Sequence, residues 1–128
     1  MWVKWNHLIW HKAKALFEYV QLHIEYDLYY DTHKGAVDTL TSKKGNGADQ
    51  AHLLIAMYRT AGLKARYVHG ECNFFMGGKS RGHVWTQVLI DNTWICGGTT
   101  DLANKFGSIS AWNVNKYTLL NKYRELPF

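Results

Sequence analysis

Apolar residues that recur at helical spacing indicate two helices in the first half of the chain. The first is predicted over residues 11–24, where they stand at i, i+3, i+4, i+7 and i+11: Ala13, Leu16, Phe17, Val20 and Ile24. Residues 2–10, which contain three tryptophans, either extend this helix or pack beside it. The pattern does not decide between the two arrangements.

The second helix is predicted over residues 48–61. A Gly-Asn-Gly turn precedes it, and Gly62 stands where a left-handed C-terminal cap is expected. Its inward stripe comprises Ala51, Leu54, Ile55 and Tyr58. Asp49 lies in the first turn, where a carboxylate suits the helix dipole.

Strand patterns dominate the second half. Strands are predicted over residues 63–69, 71–75, 83–90 and 93–97, with a flexible glycine-rich loop at 77–82. A tight hairpin is expected at Asp91-Asn92, because both residues tolerate positive φ. Residues 106–128 give a mixed signal that is typical of one or two strands with irregular links. Helices followed by an antiparallel sheet predict an α+β fold.

The hairpin sets a register for two residues of chemical interest. With a two-residue turn, Trp85 would oppose Gly98, and His83 would lie diagonally from Gly98 on the same face. Diagonal neighbours lie roughly 7–8 Å apart, so a carboxylate at position 98 would reach the imidazole. Position 98 is, however, a glycine.

Gly47, at the start of the second helix, is likewise a glycine at a position where a catalytic side chain would fit. A helix N-terminus stabilises a thiolate and offers backbone N–H groups to a developing oxyanion. A nucleophilic cysteine would suit this position, but the residue is glycine.

Length and charge indicate the number of domains and the kinds of partner to expect. A chain of 128 residues fits one domain. The net charge of +5 comes without a long run of Lys or Arg, so we predict no nucleic-acid binding. No segment is long and apolar enough to span a membrane, and we expect a monomer.

Several motifs carry a family resemblance. The run Gly-Asn-Gly-Ala-Asp-Gln at residues 45–50 resembles the transglutaminase-like pattern Gly-Asn-Cys-x-Asp-Gln, and a helix follows it in both. Residues 67–74, 82–85, 106–107 and 125–128 are similar to one branch, the pseudomurein endoisopeptidases of methanogens and their viruses. The resemblance covers residues 12–128, and residues 1–11 form an atypical extension of a single transglutaminase-like domain.

This resemblance implies a papain-like Cys-His-Asp isopeptidase that acts on peptide cross-links of the archaeal cell wall, as a virus- or prophage-encoded lysis enzyme. It implies neither cofactor nor metal. Carried over by position, the nucleophile falls on Gly47, the base on His83 and the orienting carboxylate on Gly98. Asn46, Asp49 and Trp85 would line the substrate cleft.

Two functional hypotheses follow from the glycines at positions 47 and 98. The chain is a pseudomurein endoisopeptidase domain that has lost hydrolysis, or it is a non-catalytic module on the same scaffold. In the second case it is a pseudoenzyme or a redesigned binding scaffold whose active site has been hollowed out. The sequence allows natural loss as well as engineered inactivation.

Other chemistry-bearing residues have simpler interpretations. Cys96 is a weak substitute nucleophile and fits a buried structural cysteine better, as does Cys72. A metal site built on His83 and Cys96 lacks supporting ligand spacing. The remaining candidates have structural alternatives: His52 and His69 as satisfied histidines, Asp49 as a helix cap rather than an acid–base group, Trp85 as core, and Asp101 on the wrong face to replace a carboxylate at position 98.

Overall fold

The computed structural model describes residues 2–29, 34–75, 80–114 and 117–127, with side chains from His7 onward except those of Ser80 and Arg81. Three helices and six strands lie in these ranges: α1 (Trp2–His23), β1 (Glu25–Tyr26), α2 (Gly35–Ser42), β2 (Lys44–Gly45), α3 (Gly47–Thr60), β3 (Ala65–Asn73), β4 (Ser80–Ile90), β5 (Thr93–Gly97) and β6 (Thr118–Tyr123). The fold is α+β, with helices packed on an antiparallel sheet of order β5-β4-β3-β6.

The predicted helices are present, with changes at their ends. The N-terminal residues extend α1 back to Trp2, which settles the question that the pattern left open. Helix α3 begins at Gly47, one residue earlier than predicted, and Gly62 has φ +86° in the left-handed region. The predicted inward stripe of α3 is buried throughout. The sequence pattern did not predict α2.

The strands differ from prediction at Gly70 and in the glycine-rich loop. Residues 63–69 and 71–75 were expected to form two strands, but β3 runs without a break through Gly70. The loop predicted at 77–82 overlaps β4, which already begins at Ser80; the remaining part of this prediction lies outside the described residues. Strand β5 has the predicted bounds.

The predicted hairpin is confirmed. Asp91 and Asn92 have φ +51° and +59°, and the register runs from Ile90–Thr93 to Thr86–Gly97. The ladder ends there, so the expected pair of Trp85 and Gly98 does not form. The N-terminal part of β4, before Thr86, therefore extends beyond the C-terminal end of β5.

The sheet buries side chains on both faces. Its helix face, which carries Ala65, Tyr67, Val84 and Val88, packs against α1 and α3. The opposite face, here called the aromatic face, packs against the segment that follows β5 and contains a second cluster: Val68, Cys72, Phe74, Trp85, Ala111 and Trp112. His83 belongs to this face by register, since it pairs with Gly70 between Val68–Trp85 and Cys72–Arg81.

Strand β6 forms one edge of the sheet and contains an irregularity. His69 pairs with Asn121, but Gly70 pairs with Leu119, so Leu120 is skipped in the register. This is a β-bulge. Leu119 and Leu120 are both about half exposed, at 46% and 48%.

Within the described residues, no helix has the length and apolar character needed to cross a bilayer.

Candidate active site

The N-terminus of α3 meets β4 where β4 has run past the end of β5. A Cβ atom with ideal geometry on Gly47 would lie 2.8 Å from both Nδ1 and Cε1 of His83, and 3.2 Å from the carbonyl oxygen of Val84. Position 47 and His83 are therefore in direct contact. A side chain at position 47 would start against the nitrogen that a nucleophile would use as its base.

Aromatic rings surround the half-buried imidazole of His83. Phe74 meets it edge-on at 5.3 Å between ring centroids, and Trp85 stacks on it at 6.1 Å. Trp85 is 4% exposed and packs on Trp112 at 4.8 Å. Trp85 is thus a core residue that also supports the ring of His83.

Gly98 follows β5 directly, and a side chain at this position would point toward Asn104. A Cβ at position 98 would lie 2.9 Å from Nδ2 of Asn104 and 3.7 Å from Cγ1 of Ile109. The Asn104 amide donates to the Gly98 carbonyl at 3.1 Å, and its Oδ1 accepts from the backbone of residues 110 and 111. The orienting role of position 98 toward His83 remains a prediction.

Neither glycine leaves the volume of a lost side chain empty. The imidazole of His83 fills the space at Gly47, and the amide of Asn104 fills the space at Gly98. Neighbouring side chains thus occupy the ideal Cβ positions of both glycines, and the hypothesis of a hollowed site stays a prediction. A Cβ at either position would lie less than 3.0 Å from its neighbour, closer than real Cβ atoms approach other heavy atoms, so the His83 ring or the Asn104 amide would have to move.

Asn46 shapes the turn that presents Gly47. It is the N-cap of α3, and its Oδ1 accepts from the Asp49 N–H at 2.9 Å. Its Nδ2 donates to the carbonyl of Tyr29 at 3.2 Å. The side chain thus satisfies one N–H of the first turn, while those of Gly47 and Ala48 have no partner inside the helix because of their position.

Asp49 was predicted to line the cleft, but it is fully buried. Its carboxylate accepts from the Tyr29 hydroxyl and from the backbone N–H groups of Lys34 and Gly35, the latter at 3.0 Å. It therefore caps the N-terminus of α2, in keeping with the helix-cap alternative, although the helix it caps is not its own. Burial and the bond to Asp49 raise the pKa of Tyr29 to about 12.

Gln50 is a site-forming residue to which the sequence assigned no role. Its Nε2 donates to the Gly45 carbonyl at 3.0 Å, and its Oε1 accepts from the Thr99 hydroxyl at 2.6 Å. It thereby ties the turn before Gly47 to the residue after Gly98. Its position one turn before the inward Leu54 was the signal that this polar side chain faces the interior.

The other candidates are occupied elsewhere. Burial raises the pKa of the Cys96 thiol and brings that of Cys72 to about 12, so neither is a ready nucleophile. Nδ1 of His52 is hydrogen-bonded to the Tyr67 hydroxyl at 2.8 Å. Asp101 accepts from the Ala103 N–H in a local turn. No three metal-ligating side chains converge among the described residues.

Comparison with known proteins identifies the family of the chain. The model of the transglutaminase-like superfamily matches residues 5–96. The chain therefore belongs to the transglutaminase-like superfamily. No curated protein matches the chain.

Three solved structures share the fold. A candidate cysteine protease from Cytophaga hutchinsonii aligns at TM-score 0.70 and 22% identity over 95% of this chain and 42% of that one. A structure described as a TGase aligns at TM-score 0.55 and 18% identity over 76% of this chain and 31% of that one. Legionella pneumophila LapG, treated with EGTA, aligns at TM-score 0.57 and 11% identity over 91% of this chain and 69% of that one. The chain thus spans less than half the length of the first two.

Proposed function

We propose that this domain is of the pseudomurein endoisopeptidase kind, and that it binds the isopeptide cross-link of the archaeal cell wall without hydrolysing it. The contact between the ideal Cβ position of Gly47 and Nδ1 of His83 carries the proposal. A thiol at position 47 would start beside its base at a helix N-terminus, the arrangement for covalent attack on a carbonyl. Glycine supplies no nucleophile.

The branch and the substrate rest on the motifs at residues 45–50, 67–74 and 82–85. The superfamily match and the fold shared with a candidate cysteine protease support amide-bond chemistry as the ancestral activity. The unmodified chain retains His83, in the position of a general base, and the N–H groups of Gly47 and Ala48, which have no partner within α3 because of their position. These parts can bind an amide carbonyl, but the covalent step is missing.

Restoring the two side chains tests the hydrolytic part. We expect Gly47→Cys/Gly98→Asp to release the amine from an Ala-Lys isopeptide on the order of a thousandfold faster than the parent chain. The basis is that removing a triad nucleophile costs roughly a million-fold in kcat. Gly47→Ala/Gly98→Asp is the matched control, because it supplies the Cβ atom without the thiol. A Cys/Asp variant that folds normally and stays inert would overturn the assignment to an isopeptidase scaffold.

Binding is tested on the parent chain itself by co-sedimentation with pseudomurein sacculi. We expect enrichment in the pellet that falls when excess soluble isopeptide is added. A recovery equal to that of an unrelated basic protein of similar size would overturn the binding function, since net charge alone would then account for it.

A further inference from the structure

The N-terminal half of α1 carries two histidines on its solvent side. His7 and His11 are four residues apart in the helix, and both are exposed. They point away from the buried stripe of Ala13, Phe17 and Val20, which holds α1 on the core. Side chains at i and i+4 of a helix are neighbours, so the two imidazoles stand side by side in a part of the molecule that the proposed function does not use.

The distance between the two imidazoles matches that of a metal chelate. Nε2 of His7 and Nε2 of His11 are 2.9 Å apart. A metal ion takes an imidazole nitrogen at about 2.0–2.1 Å, so two such nitrogens lie about 2.9 Å apart at a right angle and about 3.3 Å apart at a tetrahedral angle. The separation of His7 and His11 fits the right angle, which is typical of Cu²⁺ and Ni²⁺ rather than of tetrahedral zinc.

The orientation of the rings is compatible with this arrangement. The ring planes stand at 86° to each other, and the ring centroids are 4.2 Å apart. The centroids are thus farther apart than the Nε2 atoms, so the rings approach each other through their Nε2 edges. When both neutral rings carry their proton on Nδ1, both Nε2 lone pairs are available to a metal ion. Without a metal ion, one Nε2–H donates to the other nitrogen.

The charges and ligands around the pair leave room for a hydrated ion. The adjacent Lys12 donates its Nζ to the Ala61 carbonyl at 3.1 Å, which directs this positive charge to the end of α3. The described residues hold no group of three metal-ligating side chains, so water would complete the coordination. We propose that His7 and His11 form a two-histidine chelate for a divalent transition-metal cation, Cu²⁺ or Ni²⁺. The proposal does not depend on the site at Gly47.

Titration calorimetry of the unmodified chain with nickel chloride tests the chelate. A pH of about 7.5 keeps unperturbed imidazoles mostly neutral, and Ni²⁺ spares the two thiols contact with the redox-active Cu²⁺. We expect one ion to bind per chain. His7→Gln and His11→Gln should each weaken binding on the order of a hundredfold, because the second ligand of a chelate acts at a high effective concentration. Both positions are exposed, so the circular dichroism spectra should not change.

His23→Gln is the matched control. It removes another exposed histidine of α1, whose Nδ1 is hydrogen-bonded to the Tyr19 carbonyl and which has no histidine four residues away. The Ni²⁺ affinity of this variant should equal that of the unmodified chain. An equal loss in His23→Gln would overturn the chelate, because the histidines would then bind the ion singly. A full affinity in His7→Gln or His11→Gln would overturn it as well.

Nuclear magnetic resonance locates the bound ion. On addition of Ni²⁺, the imidazole resonances of His7 and His11 should shift or broaden together, while those of His52 and His83 stay unchanged. A response of His83 in place of the α1 pair would overturn the proposal, because the ion would then bind at the candidate active site.

Discussion

At residue scale, position 47 decides whether covalent chemistry is available. A cysteine there would lie at a helix N-terminus with Nδ1 of His83 next to its Cβ, and both features stabilise a thiolate. We expect Gly47→Cys to carry a thiol with a pKa between about 4 and 7.5. The measurement is the pH dependence of iodoacetamide alkylation.

The unmodified chain, which contains only Cys72 and Cys96, shows how much alkylation occurs without a thiol at position 47. Burial raises the pKa of Cys72 to about 12 and that of Cys96 above its ordinary value, so both should react slowly near neutral pH. Adding His83→Ala to Gly47→Cys should move the alkylation profile to higher pH. An unchanged profile would show that His83 does not act on the thiol.

Gly70 illustrates a second residue-scale constraint. A Cβ there would lie 3.1 Å from the Thr118 carbonyl oxygen and 3.1 Å from the Trp85 ring, with Tyr117 at 3.3 Å. We expect Gly70→Ala to lower the free energy of unfolding in urea by about 1–3 kcal/mol, the usual cost of overpacking. Gly82→Ala is the matched strand control and should change it by less than about 1 kcal/mol. Equal effects of the two substitutions would contradict this explanation.

The sequence predicted that Gly47 lies at the start of a helix, but not how closely the imidazole of His83 packs against this glycine. That closure depends on Phe74 and Trp85, which hold the ring from the aromatic face. The sequence pattern also placed a break between two strands at Gly70, because the contacts that require a glycine there are not visible in the local sequence. The rings that require a glycine there come from β4 and from residue 117, distant in sequence.

At the scale of elements, local signals sufficed for α3 and for the β4–β5 hairpin. Helix α3 has an Asn cap, an apolar stripe and a terminal glycine, and the hairpin has an Asp-Asn turn. Helix α2 lacks such signals, since it has eight residues and begins at a glycine. Its N-terminus is held by the carboxylate of Asp49, which belongs to α3. A cap that comes from another element is invisible to a local pattern.

This cross-element cap should be energetically important. Asp49→Asn removes the charge and turns an N–H₂ donor toward groups that are themselves donors. We expect the free energy of unfolding to fall by about 2–4 kcal/mol, since hydrogen bonds to a charged group contribute about 1.5–3 kcal/mol and unsatisfied donors add to the cost. Asp38→Asn, an exposed first-turn acid of α2, should cost less than about 1 kcal/mol. Similar losses in the two variants would contradict the capping role.

At the scale of the whole molecule, buried titratable groups set the pH range of stability. Burial lowers the pKa of His52, so its neutral form favours folding at pH values above the ordinary 6.5. This contribution is lost as the pH falls below 6.5. Burial and Asp49 raise the pKa of Tyr29 to about 12, so its contribution is complete below pH 10 and is lost as the pH rises toward 12.

The melting temperature should therefore be highest between about pH 6.5 and 9 and fall on both sides, because the raised pKa values of the Cys72 and Cys96 thiols begin to cost stability above pH 9, before Tyr29 does. Thermal melts at pH 5, 8 and 11, followed by circular dichroism, measure this profile. His52→Gln should reduce the acid-side fall and Tyr29→Phe the alkaline one, each without affecting the opposite side. A variant that leaves its own side unchanged would show that another group controls that transition.

The irregular pairing of β6 also bears on how the protein behaves in concentrated solution. An edge strand with two half-exposed leucines is a template onto which a second molecule could add a strand. The extra residue, Leu120, interrupts the regular spacing of backbone donors and acceptors and increases the local twist. An incoming strand would lose its register midway, so the bulge protects this apolar edge against fibril-like stacking while leaving the leucines in place.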